Sequence, residues 1–281
     1  MLKPLRLGKR LFEWGQRVYV AGILNVTPDS FSDGGLYQNL DRALFRVEEM
    51  LAAGVDLVDV GGESTRPFAQ PVPLEEEKKR VIPVVKAIRA RFDGLPISVD
   101  TYKAEVASEA LEAGADLIND VSALRFDPLM AKVLAESDAP VILMHMKGTP
   151  QTMQVDPFYE DVIGEIKSFF EERVCFAESQ GIKREKIILD PGLGFGKRFE
   201  DNLAILRHLE EFSSLGFPLL IGPSRKAFLG QILGKEAPER DVGTMAVVAY
   251  AALKGVDLVR VHNVEMAVDT LKVIQALKEV Q

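Results

Sequence analysis

Cysteine is almost absent: Cys175 is the only one in 281 residues, which excludes an internal disulfide and any thiolate cluster for a metal. It sits in a charged, helix-like stretch and is expected to be structural rather than reactive. Histidine is scarce as well. The three, His145, His208 and His262, include no pair at helical metal-ligand spacing, which argues against zinc. No apolar run approaches the ~18 residues of a membrane span. The first residues lack the apolar core of a secretion signal, so a cytoplasmic protein without membrane contact is expected. Basic charge is in deficit, 34 Lys and Arg against 42 Asp and Glu for a net −8, which excludes a broad nucleic-acid or anionic-membrane surface. An anionic substrate would need cations placed locally.

What the sequence does hold is a repeating pattern. With 47% apolar and 27% charged residues the composition is that of a globular protein. Residues 5–18 alternate around a Gly8-Lys9 turn, as a short hairpin would, placed to plug one end of the main fold. Then come eight short apolar or β-branched runs, at 18–26, 55–62, 96–100, 115–120, 140–146, 186–192, 218–224 and 256–262. Each is followed by a polar turn and an amphipathic stretch, and several of these stretches end in a C-capping glycine, as in AAG, EAG and LKG. An extra segment, 225–233, lengthens the seventh connection. No linker or composition shift divides the chain. One α/β domain over 1–281 is therefore expected, a single (β/α)8 TIM barrel preceded by a short β-hairpin, with a doubly wound open sheet as the alternative.

In a barrel the chemistry lies on the rim where strands end. Here the strand ends carry Asn25, Glu63 with Ser64, Asp100, Asn119 with Asp120, His145, Asp190, Ser224 with Arg225 and Lys226, and Arg260 with His262. Any one of these could equally be a helix cap or turn residue. Eight such ends on one rim point to a site. The first loop, NVTPDSFSDGG (25–35), has the Pro, Gly and hydroxyl content of a lid, with Phe31 at its centre. The second, GGESTRP (61–67), offers N–H groups, hydroxyls and Arg66 for an anion, or is a plain glycine turn. PGLGFGK (191–197) fails the phosphate-loop spacing, and its glycines are read as letting Phe195 and Lys197 approach a flat ligand. Among cations, Mg²⁺ suits an oxygen ligand such as Asn25, because it keeps waters and takes substrate phosphates into its shell.

The segments ILNVTPDSFSDGG, VGGESTRP, SVDT, INDV, MHM, DPGLGFGK, GPSRKAF and RVHNV resemble, in order, the signatures of the dihydropteroate synthase family. The resemblance spans essentially the whole chain. It implies a TIM-barrel transferase that joins 6-hydroxymethyl-7,8-dihydropterin diphosphate to p-aminobenzoate with loss of pyrophosphate, homodimeric and a target of sulfonamides. It also implies roles for residues. Asp100, Asn119, Asp190 and Lys226 would line the pterin pocket, with Met144 packed on the ring. Arg260, His262 and Asn25 would take the diphosphate and Mg²⁺. Thr65, Arg66, Phe195 and Ser224 would face p-aminobenzoate, and Asp29, Phe31 and Asp33 would form the lid. No covalent nucleophile is needed: loss of pyrophosphate leaves a cation that the dihydropterin ring stabilises, so the protein's task is electrostatic and positional.

Two positions depart from the family pattern: Asn263 stands where Asp is more common and Lys147 where Gln is, which bears on the phosphate rim. The nearest rival is a pterin-dependent methyltransferase of the same fold, which should lack the first-loop segment. A Schiff-base aldolase using Lys226 is disfavoured because a loop lysine is a poor setting for a depressed pKa. A non-catalytic pterin-binding protein should have lost the lid residues.

Overall fold

The computed structural model describes residues 2–27 and 36–280. Its first elements are β1 (Leu5–Leu7) and β2 (Arg10–Phe12), an antiparallel pair turned at Gly8-Lys9 as the alternation anticipates. Leu5, Leu7, Phe12 and Trp14 bury themselves against Tyr19, Leu57, Leu117, Ile142, Ile188, Leu220 and Leu258, the inward side chains at the lower end of the main sheet. The hairpin is the plug.

That sheet contains β3 (Tyr19–Asn25), β4 (Leu57–Gly61), β5 (Ile97–Asp100), β6 (Leu117–Asp120), β7 (Val141–Met144), β8 (Ile187–Asp190), β9 (Leu220–Ile221) and β10 (Leu258–Val261). All pair in parallel in the order β8-β7-β6-β5-β4-β3-β10-β9, and a parallel Leu189–Leu219 bridge joins the two ends. The sheet is a barrel, not an open doubly wound sheet. Around it lie α1 (Leu36–Ala52), α2 (Leu74–Arg91), α3 (Ala104–Glu112), α4 (Met130–Ser137), α5 (Val162–Ser179), α6 (Phe199–Arg207), α7 (Leu209–Ser213), α8 (Ala227–Leu233), α9 (Asp241–Leu253) and α10 (Val264–Glu279). The extra segment after β9 is α8. The helix expected at 200–211 divides into α6 and α7 at His208, which is exposed. Among the described residues no helix is long and apolar enough to cross a membrane.

One local motif sets the barrel's lower rim three times. Gly54-Val55-Asp56, Gly114-Ala115-Asp116 and Gly255-Val256-Asp257 each end a helix on a left-handed glycine. The aspartate then accepts the backbone N–H of a neighbouring strand: Val20 at 2.9 Å, Ile97 at 2.9 Å and Leu219 at 3.0 Å. Acidic residues are thereby spent on architecture at the bottom. Those at the top are left for chemistry. Cys175 is unpaired and exposed on α5, so the structural role expected of it is not a buried one.

Candidate active site

The site begins inside the barrel. Asp100 and Asn119 are register partners on β5 and β6, and both are buried at the upper end of the interior. Arg260 reaches them from β10. Its Nη2 donates to Asp100 Oδ2 at 2.8 Å and its Nε to Asp59 Oδ2 at 2.5 Å, while Asn119 Nδ2 donates to the same Asp59 oxygen at 3.4 Å. Burial works against the Arg260 charge, but Asp59 and Asp100 overcome it and raise its pKa. Burial also pushes Asp100 up to about 7, with Arg260 opposing and Asp59 reinforcing. Asp59 is 1% exposed and its Oδ1 has no partner. Sequence reasoning missed it, because it stands inside an apolar run rather than at a strand end.

Asp190, on β8, stands two strands round the barrel from Asn119 and three from Asp100. Its Oδ1 accepts Gly192 N–H at 2.8 Å, and burial raises its pKa to about 6 against the pull of that bond and of Lys226. Lys226 lies with its Nζ 4.1 Å from the centre of the Phe195 ring, a cation–π contact. Burial lowers its pKa to about 8, with Asp190 opposing and Arg260 assisting. The expectation that a loop position would leave this lysine unperturbed is therefore wrong, and that argument against an aldolase falls. Met144 lies in a cluster with Val121, Met146 and Met153 against which Phe195 packs.

At the rim, Ser224 Oγ accepts His262 N–H at 3.1 Å and lies 2.8 Å from His262 Nδ1, so its hydroxyl is free to donate to the ring. With the hydroxyl donating to Nδ1, the neutral ring carries its proton on Nε2, facing away from Ser224. Burial, with Arg260, Arg225 and Arg66 nearby, lowers the His262 pKa to about 3. Arg66 itself is exposed, yet its charge reaches both His262 and Lys226; Thr65 is half-buried on the same loop. Arg225 turns outward, its Nε donating to Asp241 Oδ1 at 2.7 Å. Asn263 caps α10 through its Oδ1 and donates to Asp241 Oδ2 at 3.1 Å, so it belongs to this outer network.

Other candidates lie elsewhere. Lys197 does not face the pocket: it is buried, with Nζ 2.9 Å from His145 Nδ1 and donating to the carbonyls of His145 and Phe195. Gly192 and Gly196 of PGLGFGK serve backbone packing, since a Cβ would come 2.0 Å from the His145 carbonyl oxygen and 2.4 Å from that of Lys147, whereas Gly194 gives room to the Lys226 side chain, 3.1 Å away. Lys147 pairs with Glu165 at 3.1 Å, away from the phosphate rim. Asp120 is a turn residue, accepting Ser122 and Leu124 N–H groups at 2.8 Å each. Glu63 binds Tyr102 at 2.7 Å and Lys103 behind the second loop. Asp29, Phe31 and Asp33 lie outside the described residues.

The same geometry bears on a cation site. Among the described residues no three acidic, imidazole or thiol groups gather to hold a metal. Asn25 Oδ1 lies over Gly61, 3.7 Å from where a Cβ would sit, while the neighbouring Asp100 Oδ2 is held by Arg260. A single amide oxygen fits an ion that brings most of its ligands with it.

Known proteins resemble this chain in sequence and fold. The family model described as pterin binding enzyme matches residues 21–262. A dihydropteroate synthase from Synechocystis sp. is 50% identical over 275 residues, 98% of this chain and 95% of that protein. The Xanthomonas albilineans dihydropteroate synthase solved with 4-aminobenzoic acid superposes with a TM-score of 0.93 at 44% identity, covering 100% of both chains. The enzyme from the same organism in complex with 7,8-dihydropteroate gives 0.89 at 42% identity, over 99% of this chain and 100% of that one.

Proposed function

The chain belongs to the dihydropteroate synthase family of pterin-binding enzymes and is a transferase, and from that premise we propose how its own residues carry the reaction. 6-Hydroxymethyl-7,8-dihydropterin diphosphate lies in the barrel mouth with its donor edge on Asp100, Asn119 and Asp190 and its ring against Met144. The C–O bond to the diphosphate breaks, the electron pair leaves with pyrophosphate, and the exocyclic methylene carries the positive charge into the ring. The amine lone pair of p-aminobenzoate then forms the C–N bond of 7,8-dihydropteroate and the amine gives up a proton. The observation that carries this reading is the pairing of Asp100 with Asn119 on adjacent strands, with Asp190 two strands further round, in a pocket that keeps both carboxylates buried.

Arg66 and the Nε2–H of His262 meet the departing diphosphate at the rim. Arg260 is held on Asp59 and Asp100, so its charge acts from beneath rather than by direct grip. Asn25 is the protein oxygen offered to Mg²⁺, which supplies charge neutralisation for the leaving group. Lys226 and Phe195 hold the amine over the methylene, and Thr65 with Arg66 and Ser224 receives the p-aminobenzoate end. The experiment is pyrophosphate release: turnover that depends on p-aminobenzoate supports the reading, and turnover with a methyl donor instead would favour the methyltransferase.

The working unit is a homodimer in this reading. Val242, Tyr250 and Leu253 project from one face of α9, and Val273 and Leu277 from α10; Val242 is 66% and Leu253 59% exposed. An apolar face of this kind fits a second copy of the chain. Sedimentation velocity tests it, and a monomer at micromolar concentration would refute it.

A further inference from the structure

The loop after β7 is not one of the strand-end loops so far given a role, yet it touches two of them. Strands β4 and β8 stand four places apart in a ring of eight, so the second loop and the PGLGFGK loop rise from opposite sides of the barrel. Residues 149–155 span between them. Pro150 O accepts Phe68 N–H at 3.0 Å, and Gln151 Nε2 donates to Ala69 O at 3.3 Å, both on the second loop just beyond Thr65 and Arg66. At the other end Gln154 Nε2 donates to Gly194 O at 2.7 Å, beside Phe195. The span is internally stiff, with Thr149 O accepting both Thr152 N–H at 2.9 Å and Met153 N–H at 2.7 Å. Met153 is 3% exposed and anchors it in the cluster of Met144 and Met146 against which Phe195 packs.

We propose that this span is a strap that sets the distance between the Arg66 loop and Phe195, and that Gln154 is a positioning residue for p-aminobenzoate. The inference rests on the functional reading above. Its test concerns only the second substrate, because the Gln154 side chain bonds Gly194 and leaves in place the packing of Met153 on Met144, as well as Asp100, Asn119 and Asp190 on their barrel strands. Gly194 is only half-buried, so water replaces a lost Gln154 bond at little cost to the fold while the loop loses its register.

Steady-state kinetics of the full-length enzyme with both substrates test this. Gln154→Ala should raise KM for p-aminobenzoate by roughly 3–10-fold while KM for the pterin diphosphate and the melting temperature hold, since misplacement is felt only by the group being positioned. Gln154→Glu keeps the shape but loses the donor, and should match or exceed the alanine effect; a wild-type value would mean that packing alone matters and would overturn the assignment. Equal rises in both KM values with a lower melting temperature would also overturn it, as a merely structural role. An unchanged p-aminobenzoate KM in both variants, beside a wild type that turns over normally, would refute the strap alone. A wild type without p-aminobenzoate-dependent turnover would refute the functional reading and the strap with it.

Discussion

Asp59 and Arg260 meet at 2.5 Å inside the barrel, a pair formed between β4 and β10 one layer below the proposed substrate pocket. The pair fixes where the guanidinium sits and leaves its other arm for Asp100. Because the Asp59 charge helps hold Asp100 high, Asp59→Asn should move the acid limb of the kcat/KM profile for the pterin diphosphate to lower pH. Activity near pH 8 should fall about tenfold, about 1.4 kcal/mol, from the imperfectly paired Arg260. An acid limb that stays where the wild type has it would show that Asp59 does not act through Asp100.

The wild-type profile has its own expected shape. Asp100 and Asp190 must be ionised to accept the pterin donors, and burial places them at about 7 and about 6. Below those values they take up protons, so kcat/KM should climb between pH 6 and 7. Lys226, lowered to about 8, gives up its proton above that point, and the rate should decline again. Initial rates from pH 5 to 9.5 check both limbs; a profile flat from 5 to 7 would place the ionised acids elsewhere.

The barrel was legible because each strand is a short apolar run closed by a polar residue, and Asp100, Asn119 and Asp190 were found by that same interruption. Asp59 was not, for a physical reason. In VDLVDV, Asp56 caps the lower rim and Asp59 points inside, and both interrupt one run at i and i+3, a helical spacing that hides the alternation putting Asp59 on the face of Leu57. Lys197 was misread for the converse reason: a glycine-rich loop ending in lysine looks like a ligand cradle, but its glycines let the chain pack on the His145 carbonyl and draw the lysine beneath it. The depression of the Lys226 pKa comes from burial in the barrel mouth, with the Arg260 and Arg66 charges adding to it, a tertiary setting that no local sequence rule contains.

Magnesium dependence follows from the shortage of fixed protein ligands. With one amide oxygen offered by Asn25, most of the ion's shell must come from the diphosphate and water, so excess chelator should abolish turnover. Asn25→Ala should raise the Mg²⁺ concentration giving half-maximal rate while leaving pterin-ring binding within about twofold. An unchanged Mg²⁺ titration would remove Asn25 from the metal.

Asn263→Asp restores the residue more usual in the family, and the structure shows what it would meet. Asn263 Nδ2 donates to Asp241 Oδ2, so a carboxylate there would face another across 3.1 Å, with Arg225 shared between them. The new side chain still caps α10, since Asp accepts Met266 N–H as Asn does. Turnover should therefore change less than about tenfold, and the melting temperature should fall modestly, by about 1 kcal/mol of stability. A loss beyond about a hundredfold would show that the outer network governs the phosphate rim directly.

The two substrates should bind in order. The proposed p-aminobenzoate contacts Thr65 and Arg66 sit on an exposed loop, tied at its far end to Pro150 and Gln151 but with no fixed partner for the Arg66 guanidinium among the described residues. The Arg66 charge lies close enough to depress both His262 and Lys226, so in the empty site it adds repulsion to a cationic rim. A bound diphosphate reverses that sign. It converts the repulsion between Arg66 and Lys226 into shared attraction, with neutral His262 as a further donor, and draws the loop inward, a coupling of order 1–3 kcal/mol. p-Aminobenzoate should then bind weakly to the free enzyme and at least about tenfold more tightly with pyrophosphate and Mg²⁺ present. Titration calorimetry with and without pyrophosphate decides it: equal affinities would mean that the second site is preformed, and the Arg66 loop would be a wall of the pocket rather than a part that the first substrate assembles.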